Sequence, residues 1–301
     1  MRFAPYLMLL AAAGAAQAQS WDNGGNSMLN GKYYFRQVVY VIGDSSGDLV
    51  QGLALYGTIT FSGTGTYTIA GEVDYECIST SCATGVSGRD YSSSGTYSIA
   101  ASGYGFISNP FAGRITSATA GADANVYGLV SSSGIFVSSS TESGLNDLFI
   151  AAPLASPLPT ASSFTGTWTG AYFDPYYPGY VTATSAETAM MNLTADGAGH
   201  LNMTATGYYG GGTYTQNVNS VPFSFTNGAA NVNFSTNGAV IAGASYLYFS
   251  KDGNFMFGGS PQGFDFIVAV KADRSLADAL DDFEHVGTVL IADRVAENAA
   301  E

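Results

Sequence analysis

The chain has 301 residues, of which 11% are charged, with 9 basic against 23 acidic side chains and a formal net charge of −14. So few basic groups cannot neutralise a run of phosphates or hold an anionic bilayer, which excludes nucleic acid and anionic membrane as main partners. Sparse charge with 38 glycines and 13% aromatics departs from the about 25% charged residues of an ordinary globular domain and fits an extracellular β-protein.

The first element in chain order is leader-like. Arg2 precedes an apolar stretch from Phe3 to Ala16 and the small-residue site Ala16-Gln17-Ala18, the layout of a secretory signal peptide over residues 1–18. No cysteine follows it to take a lipid, and no later run reaches the roughly 18 apolar residues of a membrane-spanning helix. The expected address is secreted, periplasmic or at the cell surface.

From Lys32 to Val270 strand signals dominate. Short aromatic and β-branched runs such as "KYYFRQVVYVI", "LYGTITF", "GTYTIAG" and "GTYSIAA" are punctuated by Gly, Asn, Asp and Ser. Several alternate apolar with polar, which predicts strands burying one face. After the first run comes "GDSSGD", a G-x-S-x-G centred on Ser45, flanked by Asp44 and Asp48. Cys77 and Cys82 are the only cysteines, and in an oxidising compartment they are expected to close a short disulfide loop of about 2 kcal/mol.

An internal repeat organises the rest. "VYGLVSSSGIFVSSSTESGLNDLFIAA" (Val126 to Ala152) aligns with "SYLYFSKDGNFMFGGSPQGFDFIVAV" (Ser245 to Val270), pairing Gly134 with Gly253 and Asp147 with Asp265. Upstream, "LNGKYYFRQ" resembles "FTGTWTGAY", and "ITFSGTGTYTIAG" resembles "LTADGAGHLNMTATG". Two β units are therefore expected, 29–154 and 164–271, joined by a Pro/Ser-rich linker over 155–163. The fold class is all-β, with room in each unit for roughly eight antiparallel strands in a lipocalin-like barrel or a sandwich. The barrel is preferred because short turns suit a meander and closure hides strand edges.

Within the second unit, Tyr172, Phe173, Tyr176, Tyr177 and Tyr180 crowd "GAYFDPYYPGY", and Tyr208, Tyr209 and Tyr214 flank a glycine run. Aromatics with polar tips suit a sugar, a small apolar ligand or a surface protein, so these eight are the candidate ligand-binding residues. His200 follows a Gly-rich turn and reads as a turn residue. Asp44, Asp48 and Asp252 lack the spacing of a calcium loop and read as turn chemistry. No metal site and no cofactor are implied. The tail, 272–301, changes to a helical pattern: Ser275 and Asp278 have capping-box spacing, and Leu276, Leu280 and Phe283 fall near one face.

The N-G-x-Y-x-F opening, the G-T-Y-T and G-T-Y-S strands and the "STESGLNDLFIAAP" ending resemble secreted two-repeat β-proteins of soil acidobacteria. That resemblance implies export and lipocalin-like barrel units and assigns no activity. A second, partial resemblance is to GDSL or SGNH hydrolases. There Ser45 would match the nucleophile, Asn146 of "GLND" the oxyanion hole, and Asp282 and His285 of "DFEH" the groups that activate the serine. Against it, the residues after Gly47 do not read as the helix that a nucleophile elbow requires. The expectation is a non-enzymatic binding module. The hydrolase is the alternative, and an outer-membrane β-barrel a further one.

Overall fold

The computed structural model describes residues 21–42, 49–77, 86–111, 125–139, 141–142, 145–175, 186–234 and 238–272. The first unit contains β1 (Asn30–Ile42), β2 (Leu49–Ser62), β3 (Thr66–Cys77), β4 (Val86–Ile99), β5 (Tyr104–Ser108), β6 (Asn125–Val130), β7 (Phe136–Ser138), β8 (Thr141–Glu142) and β9 (Leu145–Pro153). Neighbours pair antiparallel from β1 to β7, β7 pairs with β9, and β9 returns to β1, so eight strands close into a barrel. The two-residue β8 pairs with β9. The second unit is a closed meander of eight: β10 (Thr165–Asp174), β11 (Glu187–Asp196), β12 (His200–Tyr209), β13 (Gly212–Thr226), β14 (Ala229–Phe234), β15 (Gly243–Phe249), β16 (Phe255–Gly259) and β17 (Phe266–Lys271).

The period-2 pattern becomes inside and outside. In β11, Ala189, Met191, Leu193 and Ala195 are buried, while Thr188, Met190, Asn192, Thr194 and Asp196 face out. The first barrel is filled by residues such as Phe35, Leu55, Phe61, Ile99, Phe136 and Phe149, and the second by Trp168, Phe164, Met203, Phe223, Leu247 and Phe249. Apolar inside with polar outside is the reverse of a wall that faces lipid and encloses water.

Glycines permit the tight curvature. Gly57 and Gly71 stand opposite each other on β2 and β3, and a Cβ on Gly71 would lie 2.1 Å from the carbonyl oxygen of Tyr56. A side chain there would push apart strands that must bend to close the ring. The repeat also shows in turn chemistry. The Ser131 hydroxyl accepts from the Ile135 amide and the Ser250 hydroxyl from the Phe255 amide, at 3.1 and 3.0 Å. The aligned Gly134 and Gly253 both take left-handed φ, 81° and 70°. The helical expectation for 272–301 and the disulfide partner Cys82 lie outside the described residues.

Candidate functional site: the cleft between the barrels

A third apolar cluster belongs to neither interior. Tyr34, Val38 and Tyr40 on the outer face of β1, with Ala54 and Tyr56 of β2, pack against Tyr248, Phe257, Phe264 and Phe266 of the second barrel. β1 is therefore buried on both faces. Gly52 and Gly259 allow the approach: a Cβ on Gly52 would fall 2.9 Å from the Phe264 ring, and one on Gly259 would fall 2.8 Å from the Arg36 guanidinium.

Arg36 sits at the centre of this surface, 1% exposed. Its Nε donates to the Asp265 carbonyl at 3.1 Å, and one terminal nitrogen donates to the carbonyls of Asp265 and Gly263 at 2.8 and 3.0 Å. The same nitrogen lies 3.4 Å from the Asp265 carboxylate. Burial pushes the Asp265 carboxyl up from its ordinary value, and the guanidinium pulls it back. Tyr40 Oη donates to the Phe264 carbonyl at 2.5 Å, and burial raises that phenol well above its usual range, opposed by Arg36.

At one edge this packing opens into a cleft of about 360 Å³ lined by Tyr34, Tyr56, Tyr246 and Tyr248, with Glu72, Asp90 and Asn231 among its polar groups. Its walls are fixed. Tyr34 and Tyr248 stack with ring centroids 4.9 Å apart, and the Tyr34 hydroxyl donates to the Asn227 carbonyl. Tyr56 Oη donates to the Glu72 carboxylate at 2.8 Å and lies 3.1 Å from the Pro261 carbonyl. Burial and the Glu72 carboxylate together raise the Tyr56 phenol, so it stays a proton donor. Glu72 and Asp90 face each other across β3 and β4, which sets two acceptors beside aromatic faces.

The residues singled out from sequence are distributed elsewhere. Tyr172 points into the second barrel, 7% exposed, and donates to Asp174 at 3.3 Å. Phe173 faces outward, edge-on to Tyr40 at 5.7 Å. Tyr208 lies on the outer wall, 55% exposed. Tyr214, the register partner of Gly207, is exposed. These four aromatics thus divide between inside and outside of the barrel wall. Tyr176, Tyr177 and Tyr180 lie outside the described residues, as does the side chain of Tyr209. Of the hydrolase set, Asn146 is exposed on β9 next to the inward Asp147, and Ser45, Asp282 and His285 lie outside the described residues. The chain before and after 43–48 forms antiparallel partners, β1 and β2, whereas an elbow leads from a strand into a helix. His200 opens β12 directly after a turn capped by Asp196, whose Oδ1 accepts from the Ala198 and His200 amides at 2.7 and 2.9 Å. Asp252 caps its turn through Ser250 and Asn254. Asp44 and Asp48 lie outside the described residues.

Sequence reasoning missed Arg36, Tyr34, Tyr56 and Tyr248. The available signal was a near-continuous apolar strand, "YYFRQVVYVI", holding one charge, since a strand apolar on both faces is covered on both. It also missed Glu187, buried at one end of the second barrel beside Asp174, its register partner on β10. Burial, then the Asp174 charge, pushes its carboxyl up to about 7. Burial raises the Tyr172 phenol well above its usual range, with the Asp265, Asp174 and Glu187 carboxylates adding to the shift, and Arg36 pairs with Asp265. In the unfolded chain Glu187 ionises near 4.5, so stability is expected to fall as pH rises from there to about 7 and then to level off. Glu187→Gln should therefore melt several degrees above wild type at pH 8 and close to it at pH 5, an effect on the order of 2 kcal/mol. Thermal melts at the two pH values check this; equal shifts at both would refute it.

No family model and no curated protein matches the chain. Among solved structures, a protein of unknown function of the DUF3598 family from Nostoc punctiforme PCC 73102 is similar at 8% identity. That comparison covers 82% of this chain and 99% of that one, with TM-score 0.23. A protein described as a putative outer membrane protein from Bacteroides fragilis NCTC 9343 is similar at 12% identity over the same shares, with TM-score 0.20.

Proposed function

We propose that this is an exported, non-enzymatic binding protein of the cell surface or extracellular space, and that it holds a glycan in the cleft between its two barrels. The observation that carries this reading is the cleft itself: about 360 Å³, within the few hundred Å³ of ordinary ligand sites, walled by tyrosine rings and edged by carboxylate and amide groups. Sugar rings present flat C–H faces that pack on aromatics and hydroxyls that donate to Glu72 and Asp90. The hydrogen-bonded tyrosines pre-form the walls, so little ordering opposes binding. The export half of the reading rests on the leader-like residues 1–18.

A glycan array of the purified wild type is the first test, followed by titration of the best hit. Tyr246→Ala removes the half-buried wall residue of the cleft and Glu72→Gln the charged acceptor, and each is expected to weaken binding by about tenfold or more. A blank array for wild type would end the glycan reading. Labelling of Ser45 by a fluorophosphonate probe would end the non-enzymatic one.

A further inference from the structure

The two walls of the cleft differ in charge. On the first barrel, Glu72 and Asp90 are register partners on β3 and β4, both exposed and both lining the cleft. On the second, Tyr246 and Asn231 are register partners on β15 and β14 and present a ring and a neutral amide. Among the described residues, no Lys, Arg or His lines the cleft. One wall is anionic and the other is neutral and aromatic.

The anionic wall lacks a counter-charge. Residues directly opposite on paired strands hold their Cβ atoms about 5 Å apart, and like charges placed so repel. Glu72 accepts from Tyr56 Oη at 2.8 Å, which engages one carboxylate oxygen with a neutral donor. The ion pairs among the described residues, Arg36 with Asp265 and His200 with Asp196, include neither Glu72 nor Asp90. Arg36 stands 5.9 Å from the Tyr56 ring centroid, but it is buried and held by the Asp265 and Gly263 carbonyls. Its charge belongs to the contact between the barrels. A neutral sugar would leave the two carboxylates repelling each other, whereas an ammonium has three donors to share between them and gains from the tyrosine faces around it.

We infer, building on the glycan reading of the cleft, that the bound sugar is an amino sugar with a free amine, its ammonium set between Glu72 and Asp90 and its ring against Tyr246. An N-acetylated amine carries no charge and a hydroxyl donates one proton, so neither replaces the ammonium. A bare polyamine would answer the carboxylates but bring no flat C–H face to Tyr246 and no hydroxyl to Asn231. The volume of about 360 Å³ suits a ligand of disaccharide size.

The test is titration calorimetry of the full chain with three probes: the β-1,4-linked disaccharide of glucosamine, its di-N-acetyl form, and cellobiose. They share one ring skeleton and differ in the group on the second carbon. The glucosamine disaccharide should bind wild type one to one and at least about tenfold more tightly than the other two. Asp90→Asn should remove most of that preference; its side chain is exposed and the change relieves repulsion, so the fold is kept. Asp196→Asn takes one charge from outside the cleft and should bind as wild type. Equal binding of all three probes would overturn the amino-sugar inference and leave the glycan reading standing. Equal losses in Asp90→Asn and Asp196→Asn would also overturn it, because net charge rather than the site would then hold the ammonium. If no probe binds wild type the inference falls, and the glycan array decides the broader reading on its own.

Discussion

Arg36→Met is expected to destabilise the protein by about 3–5 kcal/mol and to split its unfolding into two transitions. The side chain keeps most of its length, so the loss is electrostatic rather than a cavity. What disappears are donors to the Asp265 and Gly263 carbonyls, together with the cation facing the buried Asp265 carboxylate. Asp265 is 4% exposed, and removing one partner of a buried pair leaves the other uncompensated, which is the expensive outcome. Because Arg36 belongs to the first barrel and its acceptors to the second, the penalty falls on the contact between them. Each barrel keeps its own apolar interior, so the weakened interface should let them melt separately. Adding Asp265→Asn to the Arg36→Met background should recover part of the loss, since the buried charge goes while the carbonyls remain unmet. Calorimetry of wild type and the two variants checks this; a single transition unchanged from wild type would show that Arg36 does not couple the units.

The parts of the fold that could be read from sequence are those governed by local rules. Alternation in "TAMMNLTAD" fixes which residues of β11 face in, and the paired Ser131/Gly134 and Ser250/Gly253 turns announce the repeat because each uses a hydroxyl and a left-handed glycine for one geometry. Closure into barrels follows from short turns and from glycines where the sheet bends. What could not be read was the partner of a face. Tyr34, Val38 and Tyr40 alternate with Tyr33, Phe35 and Val39, so β1 carries two apolar faces, and nothing local says that the outer one meets Tyr248 and Phe264 more than 200 residues later. The lone Arg36 in that run was the readable hint, since a charge between two apolar faces must find acceptors indoors. The same blindness affected the aromatic loop of the second unit. Tyr172 and Phe173 look alike in sequence, but period two sends one to the barrel interior and the other to the seam beside Tyr40.

Trp168→Ala is expected to cost about 3–5 kcal/mol, of the same size as Arg36→Met but of opposite kind. Trp168 is wholly buried in the second barrel, edge-on to Phe164 and Phe249 at 5.8 and 5.7 Å, with its indole nitrogen donating to the Thr165 carbonyl at 3.3 Å. Truncation removes the largest side chain of that core and leaves a void between rings that strands on a closed ladder cannot collapse to fill. Among the described residues its ring contacts stay within the second barrel, so the lesion should lower the melting of the second unit and leave the interface intact. Combined with Arg36→Met, the two losses should therefore add to within about 0.5 kcal/mol, as for sites with no shared partner. In the double variant the lower transition should move down by the full Trp168 effect while the upper one stays fixed. Calorimetry with intrinsic fluorescence reads both, because Trp168 and Trp21 are the only tryptophans and the fluorescence left in Trp168→Ala comes from Trp21, which packs on Tyr104, Phe106 and Tyr127 of the first barrel. A downward shift of both transitions would mean that the second barrel's core props up the first through contacts other than the Arg36 clamp.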